Sequence, residues 1–197
     1  MIKKINYIIQ AFFVYLFFFI GRVLGIKISR KIFASLFCLI GPFFKSKKTI
    51  DKNFNIFKKN ISVVEKNRII HNMWKNYGMT FIEYIFLNHL KKTNINMEIL
   101  GNNNLRIPLN ENKPVIFISG HFANFELMSM AITKKNINLA TIYRPLNNFL
   151  INPLMENLRK KYVCKNQIKK GINGVRETIE YIKKKHSIAL MIDQRVS

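Results

Sequence analysis

Pro114-Val-Ile-Phe-Ile-Ser-Gly-His121-Phe-Ala-Asn-Phe-Glu126 carries an apolar run into a histidine and then a carboxylate. Val115 to Ile118 is short and β-branched, which reads as a buried strand. Gly120 permits a sharp exit, and the segment from Asn124 to Leu127 reads as the first turn of a helix. A histidine at the carboxyl end of a strand, with an acid entering the next helix, stands where open α/β sheets place their ligands. The His-x4-Glu spacing lets the carboxylate reach one imidazole nitrogen while the other faces a substrate.

Downstream of Thr93 the same alternation repeats. Strands are expected at residues 97–100, 115–118, 139–143 and 188–192, and helices near 127–135, 149–162 and 172–184. Such alternation predicts an α/β fold, a largely parallel sheet flanked by helices. Upstream, Ser62-Val-Val-Glu65 fits a capping box. Ile70, Met73, Trp74, Tyr77, Phe81 and Ile85 then repeat at helical spacing, giving one long amphipathic helix or two separated near Gly78. Residues 45–60 form a basic, Asn-rich junction or short helix. His71 and His89 read as partly exposed helix histidines, since neither has a ligand-like neighbour in sequence.

The N-terminus has a different character. Between Tyr7 and Gly21 the only strongly polar side chain is Gln10, and extension past Arg22 to Ile28 reaches the ~20 residues that span a bilayer if Arg22 and Lys27 snorkel. A second apolar block covers residues 32–44. The first 50 residues hold nine Lys or Arg and no acid, Asp51 being the first carboxylate. That flank suits an anionic cytoplasmic leaflet. The expected organisation is a hydrophobic membrane-associating segment at residues 1–45 and a catalytic domain at 46–197. A cleaved signal peptide and a helix packed wholly inside the protein are the competing readings.

The 197 residues suffice for one domain with a real core. A net charge of +23 predicts an anionic partner, whether nucleic acid, acidic lipid or an acidic carrier protein. The basic residues are spread along the chain and no base-reading motif appears, so nucleic acid is not expected as a partner. Cys38 and Cys164 show no paired spacing and read as reduced. No CxxC, HExxH or HxH pattern occurs, and a bound zinc is not expected. The Gly-rich nucleotide signatures and G-x-S-x-G are also missing from the sequence.

His121 carries the sharpest chemical expectation. An imidazole held by a carboxylate is a general base suited to drawing a proton from an alcohol at neutral pH. Glu126 is expected to fix the tautomer and stabilise the imidazolium; a plain helix N-terminal acid favoured by the dipole is its rival account. Arg144, at the end of the next strand, offers a cation for a phosphate or an oxyanion. Asp193-Gln194 closes a third strand on the same rim, with an Asx-type turn as the alternative.

These residues together resemble the late lipid A acyltransferases, the lauroyl and myristoyl transferases of Gram-negative bacteria. The resemblance rests on the N-terminal hydrophobic segment, Ser119-Gly-His121-Phe-Ala-Asn-Phe-Glu126, Tyr143-Arg144-Pro145 with Asn147-Asn148, Gly171 to Arg176, and Met191-Ile-Asp193-Gln194. It implies a glycerolipid-acyltransferase-like fold with an N-terminal membrane helix. It also implies transfer of a fatty acyl group from acyl carrier protein or acyl-CoA to a hydroxyl of an anionic lipid A precursor, at the cytoplasmic face of the inner membrane. His121 and Glu126 are then the catalytic pair, Arg144, Asn124 and Asp193 contact substrate, and no cofactor or metal takes part. Relatives continue for about a hundred further residues of ordinary domain size, so a C-terminally shortened member is expected. The alternatives are a non-catalytic membrane lipid-binding protein and, further off, a basic nucleic-acid-binding protein.

Overall fold

The computed structural model describes residues 2–44, 47–57, 60–93, 97–111 and 113–193. Its elements are α1 (Ile2–Ile40), α2 (Lys47–Phe57), α3 (Val63–Glu83), α4 (Leu87–Thr93), α5 (Arg106–Asn110), β1 (Ile116–Ser119), α6 (Glu126–Lys134), β2 (Leu139–Tyr143), α7 (Asn152–Tyr162), β3 (Asn166–Lys169), α8 (Ile172–Lys183) and β4 (Ser187–Met191). The chain divides into two compact units, Tyr15–Phe86 and Met1–Val14 with Leu87–Ser197.

The second of these is the α/β unit. Its four strands are all parallel and run in the order β1-β4-β2-β3. Parallel neighbours need a crossover, and α6, α7 and α8 supply one between each successive pair of strands. Ala140, Ile168 and Ile188 form the sheet's buried centre, with Tyr181 and Ile182 of α8 packed against them. Met130 and Ile132 of α6 are also buried, beside Leu139. Gly174 lets α8 approach β3 closely, because a Cβ there would sit 2.0 Å from the Lys169 carbonyl oxygen.

Two expectations about strands are corrected. Residues 97–100 are not a strand; Met97, Ile99 and Leu100 instead line a cavity beside α6. β3 was not anticipated, because Asn166-Gln-Ile-Lys169 offers a single apolar residue, Ile168, to a strand pattern. β1 is also less buried than its composition suggests. It lies at an edge of the sheet, and Ile116 and Ile118 remain about 60% exposed while Phe117 faces the cavity.

The helical unit is built on α1 and α3. Ser62 caps α3, its hydroxyl accepting from the Glu65 N–H at 3.1 Å, and the helix runs unbroken through Gly78. A Cβ at Gly78 would meet the Phe33 carbonyl oxygen at 2.1 Å, so glycine is what lets the two backbones touch. α1 meets the length and composition test for a membrane span, yet it is not straight. Gly25 has φ 74° and ψ 165°, a region essentially restricted to glycine. Phe17 and Phe33 would stand about 24 Å apart on a continuous helix. Their rings are 5.4 Å apart, so the second arm folds back along the first.

Candidate active site

The site follows from the pairing of β1 with β4. Register sets Ser119 opposite Met191, the last residues of the two strands. His121 and Asp193 each lie two residues beyond that pair, so the sheet delivers them to one point from positions 72 apart in sequence. The Asp193 carboxylate receives the His121 backbone N–H at 2.8 Å through Oδ2 and contacts imidazole Nδ1 at 2.8 Å through Oδ1. Burial opposes ionisation of Asp193, but the hydrogen bonds from His121 outweigh it and hold the carboxyl below its usual range.

The loop between β1 and α6 is shaped to leave the imidazole at the rim. A Cβ on Gly120 would lie 2.7 Å from the Phe122 ring and 3.3 Å from Asp193 Cγ, so a side chain there would disturb the carboxylate's seat. Ala123 adopts φ 45°, which turns the chain into α6. Asn124 Oδ1 then accepts the Glu126 N–H at 3.2 Å, satisfying an N–H at the helix start. Phe125 packs against the imidazole with ring centroids 4.6 Å apart.

Glu126, expected to hold the imidazole, is paired with Arg159. Its Oε1 accepts from Arg159 Nε at 2.7 Å, with side-chain exposures of 8% and 12%, so the pair is buried between α6 and α7. The first turn of α6 carries the acid toward α7, and the imidazole is served by the strand-end carboxylate instead. Arg159 sits in Arg159-Lys160-Lys161, which in sequence looks like a solvated basic helix end. Nothing in that run distinguishes the buried member.

A second hub fixes α7 to the rim. Tyr143 Oη donates to Glu156 Oε1, and the same oxygen accepts from Asn152 Nδ2 at 2.9 Å, with Lys169 Nζ 3.9 Å away. Burial and then the adjacent carboxylate push the Tyr143 phenol far above the ordinary tyrosine range, while the phenol's hydrogen bond, partly offset by burial, lowers Glu156. Arg144 follows Tyr143 and is exposed at the end of β2, one strand across from Asp193. Lys169 ends the next strand and Lys170 follows it. Gln194 lies outside the described residues.

Beside this rim opens a cavity of about 470 Å³, within the ~300–1,000 Å³ typical of ligand clefts. Ala123 and Asn124 stand at its site end, Phe117, Leu127 and Ala131 form its walls, and Lys135 lies at the other end of α6. Among the described residues no three His, Cys, Asp or Glu side chains converge. Residues 2–197 match the family described as bacterial lipid A biosynthesis acyltransferase. No curated protein matches the chain.

Proposed function

Since the chain belongs to the bacterial lipid A biosynthesis acyltransferase family, we propose that it moves a fatty acyl group from a thioester donor to a hydroxyl of a lipid A precursor, with His121 as general base. The observation that supports this reading is the 2.8 Å contact between His121 Nδ1 and Asp193 at the sheet rim. A carboxylate on Nδ1 keeps the proton there, so Nε2 is the nitrogen that accepts one.

In the proposed reaction Nε2 takes the acceptor's hydroxyl proton as its oxygen attacks the thioester carbonyl carbon. The new C–O bond forms, the tetrahedral oxyanion collapses, the C–S bond breaks, and the imidazolium returns its proton to the departing thiolate. Asp193 stabilises the imidazolium between these steps. General base catalysis contributes about 10²–10⁴-fold, and positioning of the two substrates supplies much of the rest.

The apolar cavity beginning at Ala123 and Asn124 is suited to the acyl chain, each buried methylene contributing about 0.8 kcal/mol. Arg144, with Lys169 and Lys170, gives the rim cations for the phosphates of the acceptor. Glu126 acts through Arg159, locking α6 against α7 and so fixing the loop that carries His121. The donor is acyl carrier protein or acyl-CoA, whose acidity or phosphates the basic surface attracts, and the reaction draws on no further cofactor. The site faces the cytoplasmic side of the inner membrane, where both substrates are found.

The test is expression in a host lacking its own late acyltransferase, with lipid A examined by mass spectrometry. One added acyl group with the unsubstituted chain and none with His121→Ala is the expected result. Acylation retained in His121→Ala removes the histidine from the mechanism.

A further inference from the structure

We propose that residues 15–44 lie along a lipid surface as a helical hairpin and do not cross the bilayer. The hairpin turns at Gly25, and its arms are tied by Ser29 Oγ donating to the Gly21 carbonyl at 2.9 Å. α3 runs beside both arms. Arg30 Nε meets Glu83 at 3.0 Å, Phe81 packs on Phe18, Phe33 and Phe37, and Cys38 Sγ stands 3.8 Å from His71 Nε2. Residues 17–21 and 30–38 therefore cannot enter hydrocarbon without taking α3 with them.

α3 is unsuited to that environment. It presents Asn67, Arg68, His71, Asn72 and Lys75 as exposed side chains, and charged groups facing lipid hydrocarbon are strongly disfavoured. The part of α1 outside this packing is residues 2–14, about 20 Å of helix against a hydrocarbon core of about 30 Å. That part is itself engaged in the α/β unit. Asn148 Nδ2 donates to the Tyr7 carbonyl at 2.9 Å and to Gln10 Oε1 at 3.2 Å, and Phe149 packs on the Tyr7 ring.

What the hairpin offers is a one-sided apolar surface. Leu16, Phe19 and Val23 on the first arm and Ile28, Ile32 and Leu39 on the second are exposed, Val23 and Leu39 at 71%. Arg22, Lys27 and Lys31 border the turn, and no acid precedes Asp51. An apolar half-cylinder edged by cations and free of carboxylates fits the interface of an anionic bilayer. The same length and composition that satisfy a test for spanning thus serve a helix pair lying in the interfacial plane.

Single cysteines report the arrangement in the full chain. In a Cys38→Ser background, with buried Cys164 setting the baseline, Lys3→Cys, Lys27→Cys, Lys48→Cys and Phe19→Cys replace exposed residues and leave packing intact. Sealed membrane vesicles of both orientations are treated with a membrane-impermeant maleimide. Lys3→Cys, Lys27→Cys and Lys48→Cys are expected to react in the same orientation, and Phe19→Cys only after detergent is added. Reaction of Lys27→Cys solely in the orientation opposite to Lys3→Cys means that α1 crosses, and overturns the proposal. So does labelling of Phe19→Cys before detergent at the rate of Lys27→Cys, or its protection in a soluble dimer recovered away from the vesicles. Acyl transfer is not the readout, so these outcomes are independent of the proposed activity.

Discussion

Asp193 and Glu126 separate two roles that the sequence assigns to one carboxylate. Asp193 touches the imidazole and is partly exposed, whereas Glu126 is buried on Arg159. Asp193→Asn should lower acyl transfer by about 10²–10⁴-fold with little change in stability, since it removes the group that fixes the tautomer. Glu126→Ala should instead destabilise the fold by about 1.5–3 kcal/mol, because it removes a charge-assisted hydrogen bond to the partly buried Arg159 guanidinium. Thermal unfolding in detergent alongside initial rates distinguishes the two patterns. The histidine was legible because a β-branched run and a glycine announce a strand end. Nearness in sequence points to Glu126, whereas a parallel sheet that pairs strand ends 72 residues apart brings Asp193 to the imidazole, a contact no local pattern announces.

The pH dependence of that contact also belongs to Asp193. Its folded pKa is depressed, so the stabilisation is complete above the unfolded value of about 3.9 and is lost as pH falls through the lower folded value. Because Asp193 is more than a third exposed, the gap in denaturation midpoint between the unsubstituted chain and Asp193→Asn should be small, persist down to about pH 4 and close below it.

Among the elements, the helices and central strands followed their patterns closely. β2 spans 139–143 as expected, β4 and α6 each begin one residue early, and α7 and α8 fall within their anticipated segments. The misses sit where context decides. Residues 97–100 have strand-like composition but serve a cavity wall, and β3 is too short and polar to announce itself before a neighbour pairs with it. Gly78 looks in sequence like a possible break, yet its role is contact, and Gly78→Ala should cost about 1–3 kcal/mol through overpacking against Phe33. Gly25→Ala meets no atom within 4 Å, so any loss comes from its backbone angles, about 1–3 kcal/mol. Along α6, Ala131→Leu fills part of the cavity, and the account predicts a shift toward shorter acyl chains in lipid A mass spectra.

For the whole molecule, the strand order β1-β4-β2-β3 is the property that creates the site. It inserts the last strand beside the first and sets His121, Asp193 and Arg144 along a single rim. No local pattern encodes that order, which is why the rim residues were legible one by one and their pairing was not. The N-terminal region gave up its composition in the same way. Its greasiness was evident, but the turn at Gly25 and the packing of α3 depend on contacts between segments distant in sequence. The most direct test of the central claim is the initial rate of acyl transfer to a lipid A precursor for Asp193→Asn, in a preparation that remains folded at the assay temperature by thermal unfolding. A loss of about 10²-fold or more is the predicted result. A rate equal to that of the unsubstituted chain would contradict the assignment of Asp193 as the histidine's partner.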